Sequence, residues 1–348
     1  MAPVRIIAAA LIPWLHTASS FTPISFRPTA PTTGPALHRA IDHVHDRKIA
    51  LSAIPPPHNN DSNELHLLTF DLDDTIFPIG PVVADANIAQ LKTLVKFGYE
   101  NAANEEIIAA SKQIRTELRA AGDAITYSDL RKQSIRREIE RVTEITGDDK
   151  QTTAAIVHDS VVETIFDAWL SERHASADRN LFPHASDALQ RIREEHPGAV
   201  IGAITNGRGN PLEMPSVASY FDFCISGEDE GVFPRRKPDK GIYEAALSKY
   251  NEMQRDTITT QNDSLGLRWI HVGDDLANDV GASAECGAKS IWFTAEEDNE
   301  SEPPTWSTAT EEELQRRAAM DEMARGHVSA KICSLDELPG AIFEVVSQ

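Results

Sequence analysis

Cysteine is scarce in this chain: Cys224, Cys286 and Cys333 are the whole complement, odd in number, far apart and without a CxxC pair. That excludes a disulfide-stapled scaffold and a Cys-based zinc module, and it suits a reducing compartment. The three thiols read as small buried apolar residues rather than nucleophiles. No HExxH or comparable spacing organises the 12 histidines into a metal site. Basic residues are also few, 33 Lys and Arg against 54 Asp and Glu, for a formal net charge of −21. Such a surface repels phosphate backbones, so no nucleic-acid partner is expected. The apolar run IIAAALIPWL near the N-terminus is about half the ~20 residues that a membrane-spanning helix needs, and nothing later reads as a span. No internal repeat is visible. What is present is 41% apolar content in 348 residues, enough to build the core of one large or two ordinary domains. A compact protein acting on small molecules is the expectation.

The charge is unevenly spread. Residues 1–60 hold five basic and two acidic residues, whereas the remaining 288 hold 28 and 52. Arg5, the apolar run and the small residues Ala18 and Ser20 before Phe21 form a secretory-type signal pattern, and the Ser/Thr/Pro/Arg-rich stretch that follows has the composition of a transit peptide. Together they resemble the two-part presequences of algae with secondary plastids, which implies a plastid destination. The secretory pathway is the alternative, or the cytosol if the segment is a tail with a chance apolar run. Residues 1–63, ending in the Pro55–Pro57 linker, are therefore set apart as targeting sequence.

From there the pattern alternates. Leu65–Phe70 reads as a short strand buried on both faces, as in a parallel sheet. Helical spacing then runs through 84–97, 103–121, 127–146, 150–174 and 185–196. Strands return at Ala199–Thr205, Phe221–Ser226, Arg268–Val272 and Lys289–Phe293. Strands alternating with helices predict an α/β, doubly wound (Rossmann-like) parallel sheet over 64–80 and 197–348, with an inserted helical domain at 81–196. Residues 295–326 read as a polar excursion and a solvated helix without functional meaning.

In such sheets ligands bind outside the carboxyl ends of the strands. Asp71, Asp73 and Asp74 follow the first strand in FDLDDTIFP. Thr205, Asn206 and Gly207 follow the second, Lys237 lies in RRKPDK after the third, and Asp274, Asp275 and Asp279 follow the fourth in HVGDDLANDVG. Converging, Asp71, Asp73 and Asp274 would repel one another unless compensated. A divalent cation supplies two positive charges and Lys237 a third, and a few hard oxygen ligands with room for water are what Mg²⁺ prefers. Asp71 and Asp73, two apart on an extended chain, point the same way. Asp71 can then attack phosphorus while Asp73 protonates the departing oxygen and later deprotonates water. Thr205, with the adjacent amides, would bind phosphate oxygens; Lys237 would balance the nucleophile and Asp274 would hold the metal. Asn206 is either a further substrate contact or a turn residue, with Gly207 supplying a positive φ.

DLDDT, TNG, KPD and GDDLANDVGA, in this order, resemble the four signature motifs of the haloacid dehalogenase (HAD) superfamily over residues 65 to about 294. The resemblance implies metal ligation by Asp71, the main-chain carbonyl of Asp73 and Asp274, with Asp279 as supporting acid. The helical block would be the cap that family inserts after its first motif, and Thr75–Gly80 the flap beside it. Dehalogenases of the family lack the second aspartate, so Asp73 points to the phosphatase branch. LTFDLDDTIFP, AITNGRGNP and HVGDDLANDVGA are similar to its members acting on flavin mononucleotide or 5-amino-6-(5-phospho-D-ribitylamino)uracil. The implied function is a Mg²⁺-dependent phosphatase of a small phosphorylated metabolite working through an aspartyl-phosphate. A phosphomutase and a non-catalytic regulator with the same fold are the alternatives.

Other residues carry duller expectations. Asp74 and Asp275 read as helix-starting or solvated acids. Arg235 and Arg236 read as solvated, with an anionic substrate within possible reach. RKQSIRREIER reads as an exposed, salt-bridged face in which Glu138 and Glu140 interleave with Arg131, Arg136, Arg137 and Arg141. Ile165, Phe166 and Trp169 read as core of the helical block rather than a wall for stacking a flavin.

Overall fold

The computed structural model describes residues 64–146, 158–255, 268–295 and 310–348. The expected presequence, the start of the expected fourth helix at 150–157 and most of the polar excursion before residue 310 lie outside them. Among the described residues six strands make one parallel sheet in the order β3-β2-β1-β4-β5-β6. They are β1 (Leu67–Phe70), β2 (Val200–Thr205), β3 (Phe223–Ser226), β4 (Trp269–Gly273), β5 (Lys289–Phe293) and β6 (Val328–Ile332). β1 lies between β2 and β4, with Leu67 level with Val200 and Trp269, and Phe70 level with Ala203 and Val272.

The largely apolar runs form central strands because both faces are covered, and all residues of β1, β2 and β4 are buried. Alternate side chains divide between two layers. Leu68, Phe70, Ile201, Ala203, Ile270 and Val272 face α5 (Ala185–Glu195) and α9 (Leu338–Val346). Leu67, Val200, Ile204 and Trp269 face α6 (Lys240–Arg255) and Ala282 of the short α7 (Ala282–Glu285). β6 was not expected. Its sequence VSAKI is polar and small because it is an edge strand, mostly half-exposed, and a half-covered edge needs no apolar run.

Between β1 and β2 stand α1 (Ile79–Lys96), α2 (Asn104–Ala121), α3 (Tyr127–Thr146) and α4 (Asp159–Arg179). They enclose a core of their own, with Ala86, Leu94, Ile107, Ile135, Ile139, Ile165, Phe166 and Trp169 in one cluster. Phe166 and Trp169 stack at 6.1 Å, so these side chains are core, as expected. Helix α5 behaves differently from its assignment to the 81–196 insertion. Its apolar face, Ala185, Ala188, Leu189 and Ile192, is buried in the sheet's cluster beside α9. Helical spacing reveals that a face is apolar and not what it faces. We therefore place the insertion at α1–α4 and α5 in the sheet's flanking layer.

This assignment predicts that Leu189→Ala costs about 2–5 kcal/mol, seen as a lower urea midpoint. In a double-mutant cycle it should couple to Ile342→Ala on α9 by roughly 0.5–3 kcal/mol, whereas strict additivity would separate the two helices.

Candidate active site

The order of the sheet sends the chain from β1 outward to β2 and β3, then back across to β4. The crevice lies where that order reverses, at the carboxyl ends of β1 and β4. Asp71 follows β1 there and Asp274 follows β4, while Thr205 ends β2 and is buried. Lys237 enters from the loop between β3 and α6. Its side chain is 2% exposed, and Nζ donates to Asp71 Oδ1 at 2.5 Å and to Asp279 Oδ1 at 2.7 Å. Burial works against the ammonium charge, but Asp279 and Asp71 together hold its pKa above the usual lysine value.

Three devices hold this lysine in place. The Asn206 carboxamide accepts from the Lys237 N–H at 2.7 Å and donates to its carbonyl at 3.1 Å. Both ends of the amide thus grip main chain, and Asn206 sits as a bracket for Lys237 rather than as the phosphate contact expected for it. Thr205 Oγ1 accepts from the Gly207 N–H at 3.3 Å, and Gly207 does not take the positive φ expected of it. On the far side, Asp279 is fixed by the Asp275 N–H at 3.1 Å and by His271 Nε2 at 3.4 Å. Burial lowers the pKa of His271 against the pull of Asp279; with Nε2–H aimed at Asp279, Nδ1 accepts from the Thr69 hydroxyl at 2.8 Å. Thr69 in turn accepts from Trp269 Nε1 at 2.8 Å, completing a one-directional chain of donors that ends on Asp279. Although burial disfavours its charge, Lys237 and His271 bring the Asp279 pKa down to about 2. Gly273 is needed for close approach: a Cβ there would lie 2.4 Å from Asp279.

The motif-one acids separate by environment. Asp71 is buried, and burial, with Asp279 and Asp73 adding repulsion, pushes its pKa well up despite Lys237. Asp73 is half-buried and receives Arg173 Nη2 of α4 at 2.6 Å. Asp74, exposed and at φ 60°, accepts the Ile79 N–H at 2.9 Å and so starts α1, as expected. Thr75 donates to Asp274 Oδ1 at 3.2 Å. The Asp274 pKa is raised well above the ordinary value by burial and by the neighbouring Asp279, Asp71, Asp275 and Asp74.

Asp275 caps the turn at Leu276–Gly281 through the Asn278 N–H at 2.7 Å. It also pairs with Arg317 of α8 (Glu311–Ala324), whose Asp321 accepts from the Ala277 N–H at 3.1 Å. Helix α8, read from sequence as a solvated excursion, is therefore docked on the Asp274 loop. Arg236, expected in solvent, donates to the Ile125 carbonyl at 2.7 Å and lies 4.2 Å from the Tyr127 ring centre. Glu228 accepts from the Ser128 hydroxyl at 2.5 Å. These contacts seat the insertion on the core rim. The exposed-face reading of α3 holds for Arg136 and Arg137, which pair with Asp159 and Glu117. It fails for Glu138, which is buried and accepts the Ala103 N–H at 2.8 Å, and for Arg131, which turns inward over Trp169.

The donor set fits a hard divalent cation. Ligand oxygens of Asp71, Asp274 and Asp279 lie within 4.8 Å of one another. Asp279 spends both oxygens on Lys237, His271 and the Asp275 amide, which suits a supporting acid and leaves Asp71 and Asp274 to face an ion. The charge account points the same way. Asp71, Asp73, Asp274 and Asp279 are four carboxylates against Lys237 and Arg173, a deficit of two. Asp275 with Arg317 leaves that deficit unchanged. Oxygen-only ligation is the preference of Mg²⁺. Among the residues missed by sequence reasoning, Arg173 and Arg317 carried no signal, since each reaches its acid from a distant helix; Thr75 was visible within the DLDDT motif but was read only as flap.

Between α4 and the loops after β2 and β3 lies a cavity of about 780 Å³, lined among others by Ser171, His174, Arg208, Gly209 and Cys224. Burial pushes the Cys224 thiol up to about 12, which keeps it protonated and inert. Among the described residues no helix is long and apolar enough to cross a membrane.

Comparison with known proteins gives this geometry a context. A family model described as haloacid dehalogenase-like hydrolase matches residues 65–287. The 5-amino-6-(5-phospho-D-ribitylamino)uracil phosphatase YigB of Escherichia coli K12 is 26% identical over 231 residues, covering 66% of this chain and 83% of that protein. A ribulose-1,5-bisphosphate 5-phosphatase of Halopiger xanaduensis is 24% identical over 247 residues, covering 70% and 90%. Among solved structures, a 2-haloacid dehalogenase of Pseudomonas syringae superposes with a TM-score of 0.52 at 21% identity, over 80% of this chain and 98% of that one. The likeness to that structure is one of fold.

The ionic core predicts its own fragility. In EDTA, Lys237→Met strands two buried carboxylates and should cost about 3–5 kcal/mol in urea unfolding. Adding Asp279→Asn should restore part of the loss; a cost under about 1 kcal/mol would show that the lysine is dispensable to the fold.

Proposed function

This chain belongs to the haloacid dehalogenase-like hydrolases, and from that premise we propose that it is a Mg²⁺-dependent phosphatase that carries the phosphoryl group on Asp71. It is an enzyme of the phosphoric monoester hydrolase class. The observation that carries the mechanism is the Lys237 ammonium in contact with Asp71 while Arg173 pairs with Asp73. Two neighbouring carboxylates with different cations have different work.

Lys237 holds the Asp71 carboxylate in one orientation and offsets its charge, so that it can approach an anionic ester. Asp71 attacks phosphorus and the ester P–O bond breaks. Asp73 delivers a proton to the departing oxygen, then takes one from the water that hydrolyses the aspartyl-phosphate. The Thr205 hydroxyl and nearby amides of the loop after β2 would donate to the phosphoryl oxygens. Asp71, Asp274 and the Asp73 carbonyl are the groups that would hold Mg²⁺, with Asp279 supporting. When bound, the ion supplies positive charge to the phosphoryl oxygens.

For the substrate, the names of the two curated relatives share one feature: both describe removal of phosphate from the 5-position of a five-carbon chain. Flavin mononucleotide has the same ribityl 5-phosphate arrangement. A ribityl or pentose 5-phosphate, including the flavin or its uracil precursor, is the reading these likenesses support. Asp73 favours phosphate esters over haloacids, because a departing alkoxide needs a proton and a halide does not.

Hydrolysis of para-nitrophenyl phosphate and flavin mononucleotide by protein lacking residues 1–60, with Mg²⁺ or with EDTA, tests this reading. Activity should vanish in EDTA and return with Mg²⁺, and Asp71→Asn should lose at least about 10³-fold. Asp73→Asn should lose about 10²–10⁴-fold on flavin mononucleotide and less on the nitrophenyl ester, whose leaving group needs little protonation. Full turnover by Asp71→Asn, or in EDTA, would refute the mechanism.

A further inference from the structure

Arg173 has one nitrogen too many for its surroundings. It lies near the C-terminus of α4 with its side chain 4% exposed, and Nη2 is committed to Asp73 Oδ1 at 2.6 Å. Nη1 is buried and has no hydrogen-bond partner among the described residues. A guanidinium is a rigid, planar fork of donors that cannot lose its charge. A buried donor without an acceptor is a standing penalty that natural structures seldom leave in place.

Arg173 packs against the face of Phe77, with 6.0 Å to the ring centre. Nη1 stands 3.0 Å from the position a Cβ of Gly209 would take, and Leu72 is equally close to that position. The next cation along the inner face deepens the imbalance. Arg131 lies 4.0 Å over the ring of Trp169, one turn before Arg173 on α4, and among the described residues it donates to the neutral side chains of Asn87 and Gln90. Burial and Arg173 lower its pKa to about 10, with no acid to offset them. Gln90 Nε2 beside it is also buried without a partner among the described residues. This inner face of the insertion is rich in donors and short of acceptors.

We propose that Arg173 is a specificity-determining residue whose Nη1 donates to an oxygen on the substrate's carbon chain, next to the ester oxygen served by Asp73. The inference rests on the phosphatase reading and narrows its substrate to phosphomonoesters with a hydroxyl, carbonyl or carboxylate oxygen on a carbon near the ester. One planar group then orients the proton donor through Nη2 and reads the leaving group through Nη1. A substrate lacking that oxygen leaves the nitrogen unserved, and its binding suffers for it.

Ribose 5-phosphate and pentyl phosphate, which share a five-carbon chain and differ in its oxygens, provide the test. The wild type should favour ribose 5-phosphate in kcat/KM by roughly tenfold or more, the worth of one buried hydrogen bond. Arg173→Met should slow both esters through Asp73 and also bring the ratio toward one. Gly209→Ala, whose methyl would stand 3.0 Å from Nη1 and 3.5 Å from Nη2, crowds the free edge of the guanidinium and should lower the ratio mainly through KM for ribose 5-phosphate. Circular dichroism melts confirm that each variant is folded, and if Arg173→Met is not, Gly209→Ala decides. A wild-type ratio near one, neither ester being turned over by an enzyme that hydrolyses para-nitrophenyl phosphate, or equal losses on both esters in the variants would overturn the proposal; equal losses would mean that Nη1 is served by water. Loss of hydrolysis of every phosphomonoester, para-nitrophenyl phosphate included, would instead defeat the phosphatase reading on which it rests.

Discussion

A buried ammonium between two buried carboxylates organises this molecule. Lys237 spans Asp71 after β1 and Asp279 after β4, tying together the two sides of the sheet's reversal point. Charges so withdrawn from water persist only when paired and hydrogen-bonded. The surrounding structure supplies that pairing: Asn206 grips the lysine's main chain, and the chain from Trp269 through Thr69 and His271 ends on Asp279. The same pairing leaves Asp274 with a hydroxyl from Thr75 and no cation among the described residues, which is the condition that a divalent ion relieves.

The catalytic rim is braced from both ends of the chain. The α1–α4 insertion contributes Arg173 to Asp73 and is seated by Arg236 and Glu228 of the loop after β3. From the C-terminal side, α8 contributes Arg317 to Asp275 and Asp321 to the turn that follows. Asp71, Asp73, Asp275 and Asp279 thus each have a cationic side chain that fixes them, whereas Asp274 has the Thr75 hydroxyl. Preorganisation of this kind would lower the reorganisation needed in the proposed phosphoryl transfer.

Much of this was legible in the sequence. The strands β1, β2 and β4 are largely apolar runs, and the polar residues at their ends mark the crevice because ligands in such sheets bind at carboxyl ends. The role of Lys237 could be anticipated from charge alone, since three converging acids demand compensation. Arg173 and Arg317 could not, because an arginine in a polar helix carries no mark of the acid it will meet 100 or 42 residues away. Their omission did not spoil the charge argument: Arg173 offsets the fourth acid, Asp279, which the sequence account had left out, so the deficit of two survived. Asn206 misled because an amide after a strand suits either a phosphate or a main chain. The packing of α5, the edge strand β6 and the docking of α8 depend on tertiary neighbours, which local periodicity does not encode.

The central claim is that the carboxylates around Lys237 carry two uncompensated charges that one divalent ion fills. Calorimetric titration of Mg²⁺ into the metal-free wild type and into Asp274→Asn measures this directly. One ion per chain in the wild type and none in the variant is the predicted result; no binding to the wild type, or equal binding to both, would contradict it.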